Sequence, residues 1–163
     1  LPMQRSNGFW NTADKNFKLI QDFSTDWSQQ IAMEQMESFL NTKSVEEIES
    51  IKAIFTHDDE IVFGIVEALK NYNGPANINI KLISGVSGGE GFMDLFENSG
   101  LEGIDFMTYT FSPSMVRDAV GLGLKVLQGE TLDSSYLIPT EMIDKTDYKE
   151  YMESDLYKIR YSL

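Results

Sequence analysis

IKAIFTHDDEIVFGIVEALK, residues 51–70, decides the fold. Its first five residues, Ile51 to Phe55, form an apolar run of strand length and strand composition. A threonine, a histidine and three acids follow. A helical pattern begins at once, with Ile61, Val62, Ile65, Ala68, Leu69 and Tyr72 on one face. Strand, acidic turn and helix in this order form the join found along the ligand edge of open α/β sheets. Polar side chains at such a join face the crevice outside the carboxyl ends of the strands. The spacing predicts Asp59 as the helix N-cap, with its carboxylate accepting backbone N–H bonds. Asp58 then stands at the mouth of the crevice. Gly64 weakens a helix relative to alanine, so it marks a close packing contact.

Upstream, residues 2–15 read as a helix carrying Arg5, and 16–23 (NFKLIQDF) as a strand. The next helix starts near Asp26, which with Gln29 has the form of a capping box, and buries Ile31, Ala32, Met36, Phe39 and Leu40. KSVEEIES (43–50) reads as a surface connection. Downstream, Asn73-Gly74-Pro75 is a stop signal. INIKLIS (78–84) is the next strand and runs into the glycine-rich GVSGGEG. A short helix over 90–98, stopped by Gly100, and a strand over 103–111 follow. Ser112 as N-cap and Pro113 at N1 open a helix with Val116, Ala119, Val120, Leu124 and Leu127 as its apolar stripe. A last strand over SSYLIPTEMID (134–144), a short helix and a loose tail complete the chain. Strands alternating with helices predict an α/β fold, an open parallel sheet with helices on both faces.

Composition narrows the function. A length of 163 residues suits one core of ordinary size. The net charge of -13 argues against a nucleic acid or an anionic membrane surface as partner, since both are bound by clustered Lys and Arg. No cysteine is present, which removes disulfides, Cys-ligated zinc and a thiol nucleophile, and fits a location outside the cytoplasm. One histidine, His57, leaves little material for a catalytic triad or a His-rich metal site. GVSGGEG lacks the Lys-Ser/Thr of a P-loop. The acids 58–60 resemble a receiver's magnesium site, but Lys81 is mid-strand and so is not the strand-end lysine a receiver needs. Neither a catalytic residue nor a cofactor or metal is expected. No apolar run approaches the length of a membrane span. The chain opens on leucine, as expected of a processed chain or a piece of a longer one.

Three motifs in order resemble the second half of type I periplasmic sugar-binding proteins, the ribose- and galactofuranose-type substrate-binding proteins of ABC importers. Arg5-Ser6-Asn7-Gly8-Phe9 is similar to the R-x-x-G-F that opens the second lobe's first helix. Thr25-Asp26-Trp27 is similar to the D-W or D-F pair at the next helix. His57-Asp58-Asp59 with Gly64 is similar to N-D-x-x-A-x-G. TYTFSPSMVRDAVGLGLKVLQGE (108–130) resembles the crossover strand, turn and late helix. The likeness runs from Arg5 to about Tyr148, and the family's first lobe is missing from it.

The resemblance implies a sugar site. Arg5 would donate a fork of hydrogen bonds to hydroxyls, and Trp27 would stack on a ring face. Asp58 stands where the family has Asn, so it would only accept. The family's carboxylate after the third strand is absent from the turn 84–89, where Ser87 or backbone N–H groups would take its place. Phe111 falls near the crossover position where Gln is common and would add a second aromatic wall. The implied organisation is a sugar-binding lobe over 1–111, a segment 112–144 that returns to the missing first lobe, and a tail over 145–163. The implied partners are a mono- or disaccharide and the membrane subunits of an ABC permease, in an extracytoplasmic location. Without the first lobe the 112–144 segment is expected to self-associate or dock on its own sheet. The alternatives are a sensor domain, or a LacI-type effector domain, which would carry a basic helix-turn-helix upstream. A small α/β enzyme is disfavoured for want of a nucleophile constellation.

Overall fold

The computed structural model describes residues 2–133 and 135–160. Four strands form one sheet in the order β1 (Ala53–Phe55), β2 (Leu82–Ser87), β3 (Asp105–Thr110) and β4 (Met142–Asp144). β1, β2 and β3 are parallel, and β4 closes the far edge antiparallel to β3. The helices are α1 (Pro2–Thr12), α2 (Gln29–Thr42), α3 (Val45–Ser50), α4 (Asp59–Asn71), α5 (Glu90–Asn98), α6 (Met115–Leu127), α7 (Tyr148–Glu153) and α8 (Asp155–Lys158).

Register decides which face is buried. Ile83 and Gly85 of β2 lie beside Phe106 and Thr108 of β3, and Thr108 lies beside Ile143 of β4. All five are buried, and Phe92 of α5 fills the layer above them. On the opposite face Phe9 of α1 stacks on Phe55 at 4.7 Å, while Tyr109 and Met142 remain exposed. α4 contacts β2 and is covered in turn by α2. Its apolar stripe, read from the sequence, is the buried one: Ile61, Val62, Ile65, Ala68 and Leu69.

Several local expectations are corrected. Residues 16–23 form no strand, since no neighbour bonds to their backbone as a ladder; Ile20 and Phe23 still pack against the core, while Phe17 and Leu19 are exposed. Residues 45–50 form a helix rather than a connection, because Ser44 and Glu47 complete a capping box and Ile48 is buried. α2 is capped by Ser28, whose hydroxyl accepts from Ile31 N, and not by Asp26. The strand expected over 78–84 begins at Leu82 and runs on through Ser87. α6 begins at Met115 with Ser114 as its N-cap residue, because Ser112 is turned inward and buried. The tail is not loose: Tyr151 and Arg160 are buried.

Candidate functional site at the carboxyl edge of the sheet

β2 and β3 end side by side at Ser87 and Thr110, and β1 ends at the same edge at Phe55, beside Ser84. The turns that follow carry His57, Asp58 and Phe111. Thr56 fixes the first turn, its buried hydroxyl lying 2.8 Å from the Ser84 carbonyl and 2.9 Å from the Asp58 carbonyl.

Two elements reach this edge from outside the sheet. From α1, Arg5 donates from its guanidinium to the His57 carbonyl. Its guanidinium carbon is 5.9 Å from the Trp27 ring centre and 5.4 Å from that of Phe111. Both are within cation–π reach. Trp27 stands just before α2 in left-handed backbone, as does Asp26, with φ of 63° and 47°. Such backbone is uncommon for residues other than glycine and clusters where a side chain must be aimed. Trp27 remains 47% exposed and Phe111 41%. Arg5, Trp27 and Phe111, drawn from three separate stretches of the chain, therefore form one half-open surface.

His57 lies under this surface. Its Nε2 is 3.3 Å from the Ser6 hydroxyl, and its ring meets the edge of Phe55 at 5.3 Å. Burial, and then the Arg5 charge, hold its pKa below the ordinary value, against an opposing pull from Asp22.

Of the two neighbouring aspartates, Asp58 takes the capping role expected of Asp59, and Asp59 turns into the core. Asp58 is the N-cap of α4, its Oδ1 accepting from Glu60 N at 3.0 Å. Asp59 is the first helical residue and turns inward, only 4% exposed. Its Oδ1 accepts from the Thr108 hydroxyl at 2.8 Å and its Oδ2 from Gly89 N at 3.0 Å. Buried N–H and O–H donors need such an acceptor, and this carboxylate is the one at hand. Gly85 makes room for it: a Cβ there would fall 2.3 Å from Asp59 Oδ1 and 2.6 Å from the Phe92 ring.

Burial pushes the Asp59 carboxyl up to about 6; the Gly89 and Thr108 hydrogen bonds and Arg160 pull down, and Asp58 adds to the rise. The folded value lies above the unfolded one, so the native state holds this proton more tightly. Its stabilising effect is full below the unfolded pKa and is lost as pH rises through about 6. The loss amounts to about 3 kcal/mol. Asp59→Asn removes the titration and keeps the shape. The stability difference between variant and wild type is therefore expected to grow in the variant's favour from about pH 4 to about pH 6 and then level off. A difference that is flat across this window, measured by urea unfolding, would contradict the assignment.

Ser87 was expected to face the ligand. Its carbonyl and its hydroxyl oxygen both accept from the buried guanidinium of Arg160, so the hydroxyl is held by the protein and keeps its proton as a donor. Sequence reasoning missed Arg160, because nothing near it in the chain marks it; Ser87, to which its guanidinium donates, lies 73 residues away. Among the described residues no group of three or more His, Cys, Asp or Glu side chains is placed to hold a metal ion.

No family model matches this sequence, and no curated protein matches it. Solved structures do. A Mycobacterium smegmatis protein in complex with β-D-fucofuranose is 21% identical, with a TM-score of 0.76 over 96% of this chain and 49% of its own. The periplasmic binding protein component of the arabinose ABC transporter from Shewanella sp. ANA-3, bound to L-arabinofuranose, is 20% identical, with a TM-score of 0.74 over 98% of this chain and 49% of its own. The fructose-binding periplasmic domain of a hybrid two-component system is 21% identical, with a TM-score of 0.74 over 93% of this chain and 48% of its own. The chain spans about half the length of these proteins. A four-stranded, mostly parallel open sheet with its helices, matched over almost the whole chain, is the fold of one lobe of a type I periplasmic sugar-binding protein.

Proposed function

We propose that this chain is the sugar-binding second lobe of an extracytoplasmic solute-binding protein that delivers a neutral mono- or disaccharide to an ABC permease. The observation that carries the reading is the Arg5 guanidinium within cation–π reach of two half-exposed rings, Trp27 and Phe111. Aromatic faces suit the C–H patches of a sugar ring, and a charged planar donor suits its hydroxyls. Asp58 and Ser87 stand at the margins, one to accept and one to donate. We read the site as one for binding and not turnover: His57 is the sequence's one imidazole, and a lone imidazole near a hydroxyl is a small part of what hydrolysis needs.

In this reading residues 1–111 are the lobe proper, the part of 112–144 that carries α6 returns to a first lobe, and β4 with the tail from 145 completes this lobe's own sheet and core. The state of α6 supports the middle assignment. None of its residues is buried, and Val116, Val120, Leu124 and Leu127 all stand in solvent. The helix does not fold back onto its own sheet. An apolar stripe of this kind requires a cover. The 163-residue chain by itself is accordingly expected to associate as its concentration rises in a sedimentation experiment, and Val120→Ser with Leu124→Gln to return it to a monomer. A monomeric wild-type chain at high concentration would remove this assignment.

Titration calorimetry tests the function. A protein carrying both lobes is expected to bind one of a panel of neutral sugars with a dissociation constant of about 1 μM or tighter, roughly 8 kcal/mol. The chain by itself, with half a site, is expected to bind none measurably. Hydrolysis of a sugar or phosphate ester would replace the reading with an enzyme. A second reading keeps the ligand and changes the output. One neighbour is the periplasmic domain of a two-component system, so the same lobe serves a sensor as readily as a transporter. Genes for a permease or for a kinase beside this one separate the two.

A further inference from the structure

Arg160 is 2% exposed, the largest of the fully buried side chains among the described residues. A guanidinium is expensive to remove from water, and an apolar side chain of similar volume usually fills such a place at lower cost. Its polar contacts suggest why it is there. The guanidinium donates to the Ser87 carbonyl and to the Ser87 hydroxyl. The same Ser87 carbonyl accepts from Phe111 N at 3.1 Å. The Arg160 carbonyl accepts from the Ser112 hydroxyl at 3.3 Å. Phe111 lies just beyond β3, and its bond to Ser87 is the last rung of the β2–β3 ladder, so the Ser87 carbonyl that Arg160 braces is the end of the sheet's hold on Phe111. Its backbone hangs from Ser87, the next residue is tied to Arg160, and its ring lies against Arg5. Tyr151 adds a second tie from the tail, its hydroxyl donating to the Gly88 carbonyl at 2.9 Å.

We propose that Arg160 is a positioning residue of the carboxyl-edge site: it fixes Ser87, and through the Ser87 carbonyl it sets where the Phe111 ring stands against Arg5. The tail is then part of the binding apparatus although it touches no ligand. The link to affinity rests on the sugar-binding reading above; the link from Arg160 to Phe111 does not.

Two measurements test the two links separately. The first is hydrogen exchange on the ligand-free 163-residue chain. Arg160→Gln, and Arg160→Lys should the former fail to fold, are expected to speed exchange at Phe111 N–H about tenfold or more, while Ile83 and Thr108 in the sheet keep their rates. Unchanged protection at Phe111 in a folded variant overturns the proposal, and so does a uniform loss across the sheet. The second is a double-mutant cycle by calorimetry on the two-lobed protein, with L-arabinose and D-fructose as probes. Arg160→Gln is expected to weaken binding about tenfold, and to change little once Phe111→Ala is already present, because it acts through that ring. Arg160→Lys, with one point donor in place of a fork, is expected to recover part of the loss. Full additivity of Arg160→Gln and Phe111→Ala overturns the proposal. Should neither probe bind the wild type, the sugar assignment loses its support for these ligands, and exchange at Phe111 decides the positioning role.

Discussion

Trp27→Ala is expected to weaken sugar binding by the two-lobed protein about 30-fold or more while leaving the fold intact. The loss has two sources. The indole supplies the larger of the two aromatic faces at the edge, and such anchors are commonly worth 2 kcal/mol or more. It also faces the Arg5 guanidinium, which loses one of its two rings when the indole is removed. The fold is spared because the side chain is nearly half exposed and α2 is capped next door by Ser28. Calorimetry and a thermal melt on the same sample separate the two effects. Wild-type affinity in the variant would sink the proposed site. A large fall in melting temperature would make Trp27 a structural residue.

Gly64→Ala carries the largest expected stability effect. In an isolated helix this change stabilises by up to about 1 kcal/mol. Here the sign reverses. The added Cβ would stand 2.1 Å from the Gln29 carbonyl oxygen and 2.9 Å from Met33 N, both backbone atoms of α2. No side chain can swing aside, so the two helices must separate. About 3 kcal/mol of destabilisation is expected, at the upper end for overpacking. Because Gln29 lies two residues beyond Trp27, the displacement should also lower sugar affinity. A guanidinium midpoint equal to or above wild type would show that the crossing is not rigid.

Much of the architecture was legible because it is local. The stripe from Ile61 to Leu69, the short helix at 90–98 and the close approach at Gly64 follow from periodicity and from the cost of a glycine. The errors share one cause. Asp58 and Asp59 are equivalent to a local rule. Their roles are set by Thr108 and Gly89, 49 and 30 residues away, whose donors need a buried acceptor. Residues 16–23 have a strand's composition, but a strand exists only where a neighbour bonds to it. Ser28 outcompetes Asp26 as cap because residues 26 and 27 are held in left-handed backbone, which no spacing rule reads. Of the proposed site, Arg5, Trp27 and Phe111 come from family resemblance and not from chemistry; the Arg5 guanidinium lies 5.9 and 5.4 Å from the two ring centres. Arg160 had neither signal.

The corner at Asp26 and Trp27 bears on which sequences can carry this site. The indole is mounted on two left-handed residues ahead of the helix and not on the helix itself. Position 26 therefore admits a short alphabet, glycine, asparagine and aspartate, and excludes valine and isoleucine, whose branched Cβ resists that backbone. The helix behind it can exchange one apolar residue for another without re-aiming the ring. Diversity in a library of this lobe should accordingly accumulate along α2, with position 26 nearly fixed. Selecting such a library for sugar capture, and then for folding alone, would divide the constraint into its two parts, because only the first selection needs the ring where the corner puts it.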